Sequence, residues 1–347
     1  MLRQAAFGSD VRDDVLDALV GGPPCQGFSV GGVRDSHDER NGQLLRFIDL
    51  VVALRPRVFL LENVAGLLEP RFASLRVEAV GRLRVAGYAV GGFGSPVSAA
   101  NFGVPQMRRR VFFMGSRVGE APELSGPPMT PVTVGDAFEG LPDVARYRKL
   151  LIQDSVELRQ EDLVRLREVD SVYARRLAGR EIDPTDRSWP RIYNRDLLTN
   201  SLRTVHSAKS IQRFSRTAPG EVERVSRLFR LDPDRQARTL RAGTGSDRGS
   251  HTSPRPIHPE KNRVITVREA ARLHGYPDWF RFHATNWHGN RQIGNSVPPP
   301  LAAAAGRALL AGLGIGVLDR PQTELPLGDP RWLRYSAAAA QCALDSL

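Results

Sequence analysis

One cysteine of this chain stands in a setting suited to covalent chemistry. Cys25 follows two prolines and precedes Gly27 within residues 21–29, directly after the apolar run 16–20. The prolines restrict the backbone before the thiol, and the glycine lets the following residues turn over a ligand. A thiolate in such a loop is a candidate nucleophile. The alternative is a small buried hydrophobe, the usual role of an unpaired cysteine; the other cysteine, Cys342, lies in an Ala-rich tail.

Three further polar clusters follow along the chain: Glu62-Asn63, residues 106–110 and residues 294–296. Taken singly, Glu62 is explained as a paired carboxylate at a strand end and Asn295 as a turn residue. The two arginines of the second cluster, Arg108 and Arg110, are explained as a solvated charge run. The structural explanation is therefore favoured for each of these three clusters alone.

The elements that must position these residues alternate over the first 117 residues. The apolar patterns predict helices over 42–54 and 72–86 and strands over 58–61, 88–97 and 110–114. Strands that alternate with helices predict an α/β sheet with its site at the carboxyl ends of the strands. Cys25 and Glu62 both fall at such ends, so they are predicted to lie on the same face.

The chain is less regular after residue 122. Its predicted features are a Pro- and Gly-rich boundary (122–142), a charged helical stretch (150–180), a weakly periodic region (192–258), a Gly-rich basic loop (241–252) and an Ala/Leu helix (301–313). The Gly-rich loop fits either a flexible surface or a DNA contact. Thr266 and Glu269 form a capping-box pattern at the start of another helix, which Gly275 ends.

Composition narrows the class of protein. The 347 residues carry a formal net charge of +11, which favours a polyanionic partner, although arginine supplies almost all of the positive charge. No apolar run approaches the length of a membrane span, and the N-terminus lacks a signal-peptide layout. Two distant cysteines give no disulfide framework, which predicts a soluble protein of a reducing cytoplasm.

Together and in this order, the clusters resemble those of the DNA (cytosine-5) methyltransferases. The matching segments are PCQ with Cys25, ENV from Glu62, VPQMRRR over 104–110, REAARLHGY over 268–276 and QIGNSVP over 292–298. The resemblance runs from about residue 10 to residue 313. Five motifs in one register make coincidence a poor explanation.

The resemblance implies a mechanism and a set of contacts. Cys25 would add to C6 of a flipped cytosine, Glu62 would engage N3, and Arg110 or Arg108 would hold O2. The methyl donor would be S-adenosyl-L-methionine as co-substrate, with no metal. The implied cofactor contacts are Asp10, Pro24, Asn295 and Ser296. The implied DNA contacts are Gln26, Ser29, Arg40, Gln106 and Thr239.

The sequence departs from the family pattern at its start. The Gly-rich FxGxGG loop and the acidic residue that follows it are absent, so the chain begins about one βαβ unit late. Such a loss would expose a strand edge and remove part of the cofactor site. A start codon placed too far downstream, a split enzyme and a decayed paralogue each explain it. Intact Cys25, Glu62 and Arg110 argue against decay and favour the first explanation.

The expected fold is a Rossmann-like class I methyltransferase α/β sheet, N-terminally truncated, with a smaller, mostly irregular or β target-recognition domain. The expected domains are a catalytic domain (1–187), a target-recognition domain (188–262), a hinge and return to the catalytic domain (263–318) and a tail (319–347).

The expected function is DNA cytosine-5 methylation in a bacterial restriction-modification system, acting on double-stranded DNA at the nucleoid. A cognate restriction endonuclease or a separate N-terminal subunit is a further candidate partner, and no membrane is expected. The alternatives are a cofactor-deficient DNA-binding paralogue, a subunit of a split methyltransferase and an RNA methyltransferase. The PCQ sequence and the long target region favour DNA.

Overall fold

The structure is a computed structural model that describes residues 16–24, 42–124, 126, 129–243, 255–317 and 319–345. Its contacts divide the chain into two units, each assembled from separate segments. Unit 1 comprises Met1–Phe102, Arg109–Pro128 and Ala302–Leu318. Unit 2 comprises Gly103–Arg108, Met129–Leu301 and Asp319–Leu347.

Strands and helices alternate most regularly in the first third of the chain. The strands are β1 (Ala18–Gly21), β2 (Val58–Val64), β3 (Ala89–Val90), β4 (Val97–Ser98), β5 (Gln106–Met107), β6 (Arg109–Ser116), β7 (Val156–Glu157), β8 (Arg191–Ile192), β9 (Leu197–Leu198), β10 (Ala237–Arg238) and β11 (Leu325–Pro326). The α-helices are α1 (Gly42–Leu54), α2 (Ala73–Val85), α3 (Val134–Phe138), α4 (Gln160–Arg167), α5 (Val172–Leu177), α6 (Ala208–Ser215), α7 (Val267–Leu273), α8 (Asn286–Asn295), α9 (Pro299–Gly312) and α10 (Ala337–Leu344).

Unit 1 is a sheet covered by helices on both faces. Its strand order is β1-β2-β6-β3, with β4 also paired to β6. One face of β2, with Phe59 and Leu61, packs with α1 and α2 in a continuous apolar cluster. The other face, with Val58 and Leu60, packs with Leu309 of α9. Because both faces are buried, β2 is a continuous apolar run rather than an alternating one.

The direction of β6 is a feature that the alternating pattern did not indicate. β2 pairs in parallel with β1, as the buried run predicted, but β6 pairs with β2 in the antiparallel direction. The register places Arg110 opposite Val64. The start of β6 therefore lies at the same edge of the sheet as the carboxyl end of β2. Residues from the beginning of one strand and the end of another meet there.

Unit 2 has its main core around α3, α7 and α8. The capping box that starts α7 is present: the Thr266 hydroxyl accepts from Glu269 N, and the Glu269 carboxylate accepts from Thr266 N. Gly275 follows the helix end at a φ of 84°, a conformation that favours glycine. The stretch 150–180, predicted to be charged and helical, contains two short helices, α4 and α5. The Ser171 hydroxyl accepts from Ala174 N and caps the start of α5.

The division into units differs from the predicted domain boundaries. Residues 129–187 belong to unit 2 rather than to the unit of the main sheet, since α3 packs against α7 in the core of unit 2. The predicted tail, residues 319–347, also belongs to unit 2. Its β11 pairs in parallel with β8, and Arg334 contacts Asp154 at 3.2 Å. Tertiary contacts, which composition does not encode, set these boundaries.

Candidate active site

An ion pair lies at the edge of the unit 1 sheet where β2 ends and β6 begins. The Glu62 Oε1 atom is 2.7 Å from Arg110 Nε, and the two side chains are 18% and 11% exposed. The register makes Arg110 a diagonal neighbour of Glu62, because Arg110 pairs with the residue two positions beyond it. The antiparallel direction of β6 is thus what brings these two predicted site residues together.

The chain that leads to the cysteine loop passes beside this pair. A Cβ placed on Gly22 would lie 3.4 Å from Glu62 Oε2. The Asn63 amide donates from Nδ2 to Pro23 O at 3.3 Å, and its Oδ1 accepts from Val64 N at 2.9 Å. The end of β1 is therefore tied to the end of β2 through a side-chain bridge. Pro24, a predicted cofactor contact, is the last described residue before Cys25.

Several predicted site residues lie outside the described residues. These are Asp10, Cys25, Gln26, Ser29 and Arg40. The Gly-rich loop predicted over 241–252 is described only as far as residue 243. The roles expected for these residues stay predictions.

Arg108 occupies a different environment from the one expected at the O2 atom of a base. Its guanidinium is 1% exposed and lies in unit 2. Its terminal nitrogens donate to Leu240 O at 3.1 Å, Gly294 O at 2.8 Å and Ser296 O at 2.9 Å. Main-chain carbonyls thus engage both terminal nitrogens, and the geometry corrects the sequence-based grouping of Arg108 with Arg110.

Gln106 is also interior, which differs from its expected DNA contact. The side chain is fully buried and donates from Nε2 to Leu273 O at 3.1 Å. Nε2 also lies 2.9 Å from His274 Nδ1, and Oε1 accepts from Leu240 N at 3.0 Å. The amide therefore has partners at both ends, so its position supports packing rather than contact with DNA.

The interior residues link motifs that are distant in sequence. His274 Nδ1 accepts from Gln106, which leaves Nε2–H to donate to Ser296 O at 3.1 Å. Ser296 O also accepts from Arg108. One residue or more from each of the VPQMRRR, REAARLHGY and QIGNSVP segments therefore joins a buried polar network in unit 2, together with Leu240.

The remaining described residues of the predicted site are more exposed. Thr239 is exposed and donates from Oγ1 to Met107 O at 3.1 Å. Asn295 is the last residue of α8 and is exposed. The Ser296 hydroxyl donates to Ile293 O at 3.0 Å and so caps a main-chain carbonyl at the end of α8.

These motifs occur together in a known family. The sequence model of the family described as C-5 cytosine-specific DNA methylase matches residues 4–311. The chain belongs to this family. This methylase is 45% identical over 347 residues to the Type II methyltransferase M.XorII of Xanthomonas oryzae pv. oryzae. The alignment covers 99% of this chain and 79% of M.XorII.

Two further similarities agree. DNA (cytosine-5)-methyltransferase 4 of Arabidopsis thaliana is 30% identical to the methylase over 352 residues, 86% of the chain and 22% of that protein. A crystal structure from E. coli, described as a prophage-encoded DNA modification methyltransferase, has a TM-score of 0.68 at 31% identity. That match covers 90% of the methylase and 83% of the other chain. The chain is a DNA cytosine-5 methyltransferase, and the non-catalytic alternative is not favoured.

The sequence did not indicate the positioning roles of two residues, Asn63 and His274. Asn63 follows Glu62 in the ENV motif, and its side chain ties the ends of β1 and β2 together. His274 lies inside the REAARLHGY motif and joins Gln106 to Ser296. Both residues lie within the matched motifs, so their positions next to predicted site residues were the signal in the sequence that could have identified them.

A second buried polar cluster of the methylase lies in unit 2 beside a cavity of about 230 Å³. Glu269 forms a bidentate pair with Arg263 at 2.6 and 2.8 Å. Burial alone would raise the pKa of Glu269, but the Arg263 guanidinium lowers it to about 2. Burial lowers the pKa of His258 to about 4, and its Nδ1 accepts from Glu260 N and Lys261 N.

Within residues 16–24, 42–124, 126, 129–243, 255–317 and 319–345, no group of three or more His, Cys, Asp or Glu side chains is placed to hold a metal ion. The helices of the same ranges include none with the length and apolarity that crossing a membrane requires.

Proposed function

We propose that the methylase transfers a methyl group to C5 of a flipped cytosine in duplex DNA, with Cys25 as nucleophile and Glu62 and Arg110 on the base. The observation that carries this proposal is the Glu62–Arg110 ion pair at 2.7 Å, beside the strand end that continues to Cys25. An acid and a guanidinium at that position can hydrogen-bond adjacent polar atoms on one edge of a pyrimidine.

The chemistry explains why these residue types are needed. C5 of cytosine becomes nucleophilic only after the Cys25 thiolate forms a bond to C6, and the charge pushed into the ring must be received at N3 and O2. Glu62 engages N3 and Arg110 engages O2, which stabilises that charge. S-adenosylmethionine supplies the methyl group. Loss of the C5 proton then breaks the bond to C6 and returns the Cys25 thiolate.

Arg110 has a second role in the proposal, since it orients Glu62. Its Nε holds Glu62 Oε1, and its Nη1 donates to Arg109 O at 2.9 Å. Two fixed contacts restrict the guanidinium and therefore the carboxylate. A stacked base cannot reach such an edge, so the nucleotide must leave the helix.

We assign the S-adenosylmethionine contacts to Asp10, Pro24, Asn295 and Ser296, as the family resemblance implies. The donor set of the described residues fits in part: the exposed Asn295 amide can donate and accept. The Ser296 hydroxyl donates to Ile293 O and keeps its lone pairs for a ligand N–H.

We assign the DNA contacts outside the pocket to Gln26, Ser29, Arg40 and Thr239, and the recognition of the target to residues 188–262. Gln106 and Arg108 act as positioning residues, because their side chains hold the buried network of unit 2. A cognate restriction endonuclease and a bacterial cytoplasmic location follow the same resemblance.

The test is covalent trapping on DNA that carries 5-fluorocytosine. Fluorine at C5 blocks the final elimination, so the enzyme stays bonded to its target and the adduct survives denaturing electrophoresis. The full chain with labelled S-adenosylmethionine is expected to give a labelled adduct. Cys25→Ala is expected to abolish it, and Cys342→Ala, which removes the exposed cysteine of the tail, is expected to leave it unchanged.

Two results would overturn the proposal. An adduct that persists in Cys25→Ala would assign the nucleophile elsewhere. DNA binding without any adduct in the full chain would mean that this chain binds DNA but does not methylate it.

A further inference from the structure

A tight hairpin lies in unit 2, within the region assigned to target recognition. It spans residues 221–230 and is called here the Glu223 hairpin. Its strands meet in an antiparallel bridge between Val222 and Phe229. Backbone bonds close it at both ends: Glu223 N donates to Leu228 O at 2.8 Å, and Arg230 N donates to Glu221 O at 2.8 Å.

The tip of the Glu223 hairpin is held by a buried carboxylate. Glu223 is 4% exposed, and its oxygens accept from Val225 N at 3.0 Å and Ser226 N at 2.6 Å. Burial would raise the pKa of Glu223, but hydrogen bonds from Ser226 and Val225 lower it to about 2. The carboxylate is therefore ionised at neutral pH, and it fixes the backbone of the turn.

The turn also contains backbone strain. Arg227 has a φ of 60°, in the left-handed region that non-glycine residues adopt uncommonly. Its N–H donates to Glu223 O at 2.9 Å, which holds it there. Strained residues persist where the surroundings over-determine them, and they cluster at functional sites.

The side chains that this turn presents are two arginines and an apolar residue. Arg224, Val225 and Arg227 are all exposed, and Val225 is 69% exposed. Neither arginine forms an ion pair with any residue of the described ranges. A turn that exposes two guanidinium groups is suited to contact with a polyanion such as DNA.

The root of the Glu223 hairpin is anchored beside an assigned DNA contact. Arg230 is buried and donates to Pro259 O at 3.0 Å and Phe214 O at 2.6 Å. The ring of Phe229 lies under the Arg238 guanidinium at 3.9 Å. Arg238 immediately precedes Thr239, so the hairpin shares a surface with the assigned contact.

We propose that the tip of the Glu223 hairpin reads base edges in the target DNA, with Arg224 and Arg227 on guanine and Val225 on an apolar base edge. This inference rests on the proposed function. An arginine can donate two hydrogen bonds to O6 and N7 of guanine in the major groove, and an aliphatic side chain can contact the methyl group of thymine. The ionised Glu223 and the strained Arg227 make the tip rigid, which direct readout requires.

The experiment separates base contacts from phosphate contacts by keeping the charge. The full-length enzyme and its Arg224→Lys and Arg227→Lys variants methylate unmodified genomic DNA, and bisulfite sequencing gives the sequence preference at every cytosine. Arg167→Lys, an exposed arginine at the end of α4, is the matched control. DNA affinity is measured in parallel over a range of salt concentrations.

Each lysine variant is expected to lower methylation at the wild-type sites roughly 10- to 100-fold and to relax the preference at one guanine position. The salt dependence of binding is expected to stay unchanged, since the net charge is the same. The control is expected to match the wild type in all three measurements.

An unchanged sequence preference in both variants would overturn the inference, and so would a loss that is uniform over all sequences. The latter result would assign the arginines to phosphates. If the unsubstituted enzyme methylates DNA, these failures leave the proposed function intact. If it forms no adduct with 5-fluorocytosine and methylates no site, the proposed function and this inference fail together.

Discussion

Arg108 and Arg110 are two residues apart in one motif, yet they belong to different units and have different partners. Arg110 lies at the edge of the unit 1 sheet and holds the carboxylate of Glu62. Arg108 lies inside unit 2 and donates to the main-chain carbonyls of Leu240, Gly294 and Ser296. The Arg110 guanidinium pairs with a carboxylate that can take part in catalysis. The Arg108 guanidinium supplies hydrogen bonds to three buried main-chain carbonyls.

The comparison shows that a short motif can serve two purposes at once. The chain passes from unit 2 to unit 1 between Arg108 and Arg109. Residues of the motif before that point are therefore positioned by the core of unit 2, and residues after it by the sheet of unit 1. Charge and spacing made the two arginines equivalent in the sequence, whereas burial and partners separate them in the structure.

The largest effect is expected at the sheet edge. Glu62→Gln keeps the shape of the side chain but removes its charge and its acid function. We expect the rate of methyl transfer in a single turnover to fall about 10²- to 10⁴-fold, with a free energy of unfolding within about 1 kcal/mol of the wild type. Transfer at the wild-type rate would show that the ion pair is structural, like the contacts of Arg108.

The next effect compares the two arginines directly. Lysine keeps the charge but cannot reproduce the planar fork of hydrogen bonds. Arg108→Lys is expected to cost about 2–3 kcal/mol of unfolding free energy in urea, because buried carbonyls lose their donors. Arg110→Lys is expected to cost about 1 kcal/mol or less, because lysine can still pair with Glu62. Equal costs for the two variants would contradict the division drawn here.

The third prediction concerns the interior of unit 2, where buried His258 is expected to make the stability depend on pH. The pKa of His258 is about 4 in the folded protein and about 6.5 when exposed. The unfolded state therefore binds the proton more readily, so stability is full above pH 6.5 and falls as the pH drops toward 4. We expect a loss of about 2–3 kcal/mol over that window.

His258→Gln is expected to flatten this part of the stability profile, measured by urea unfolding at each pH. His288→Gln is the matched control, because His288 is exposed. A profile that stays as steep in His258→Gln as in the wild type would assign the pH dependence to other groups.

The smallest effect is expected at Thr239. Thr239→Val removes the hydroxyl that donates to Met107 O, at an exposed position. We expect stability to change by about 1 kcal/mol or less and DNA affinity to fall a few-fold. A much larger fall in affinity would mean that this hydroxyl contacts a base rather than the DNA backbone.

Local signals in the sequence predicted local structure well. The apolar run of β2 and the periodicity of α1 gave the right elements, and the Thr266 and Glu269 capping box is present as predicted. Each depends on neighbours within a few residues, where sequence and geometry are closely coupled.

Features that depend on distant contacts could not be predicted in the same way. The antiparallel direction of β6 is set by pairing across the sheet, and it is what places Arg110 beside Glu62. The burial of Gln106 and Arg108 depends on carbonyls more than 100 positions away. A polar residue type gives no sign of whether its partner is a ligand or the backbone.

The discontinuity of unit 1 has a consequence for how the protein is made. The face of the sheet that carries Phe59 is covered by α1 and α2, which are close neighbours in the chain. The opposite face, with Val58 and Met114, is covered by Leu309 of α9, which a ribosome delivers only after almost all of unit 2. A nascent chain therefore carries a half-covered sheet through most of its synthesis, and the core of unit 1 is completed only when α9 has been made.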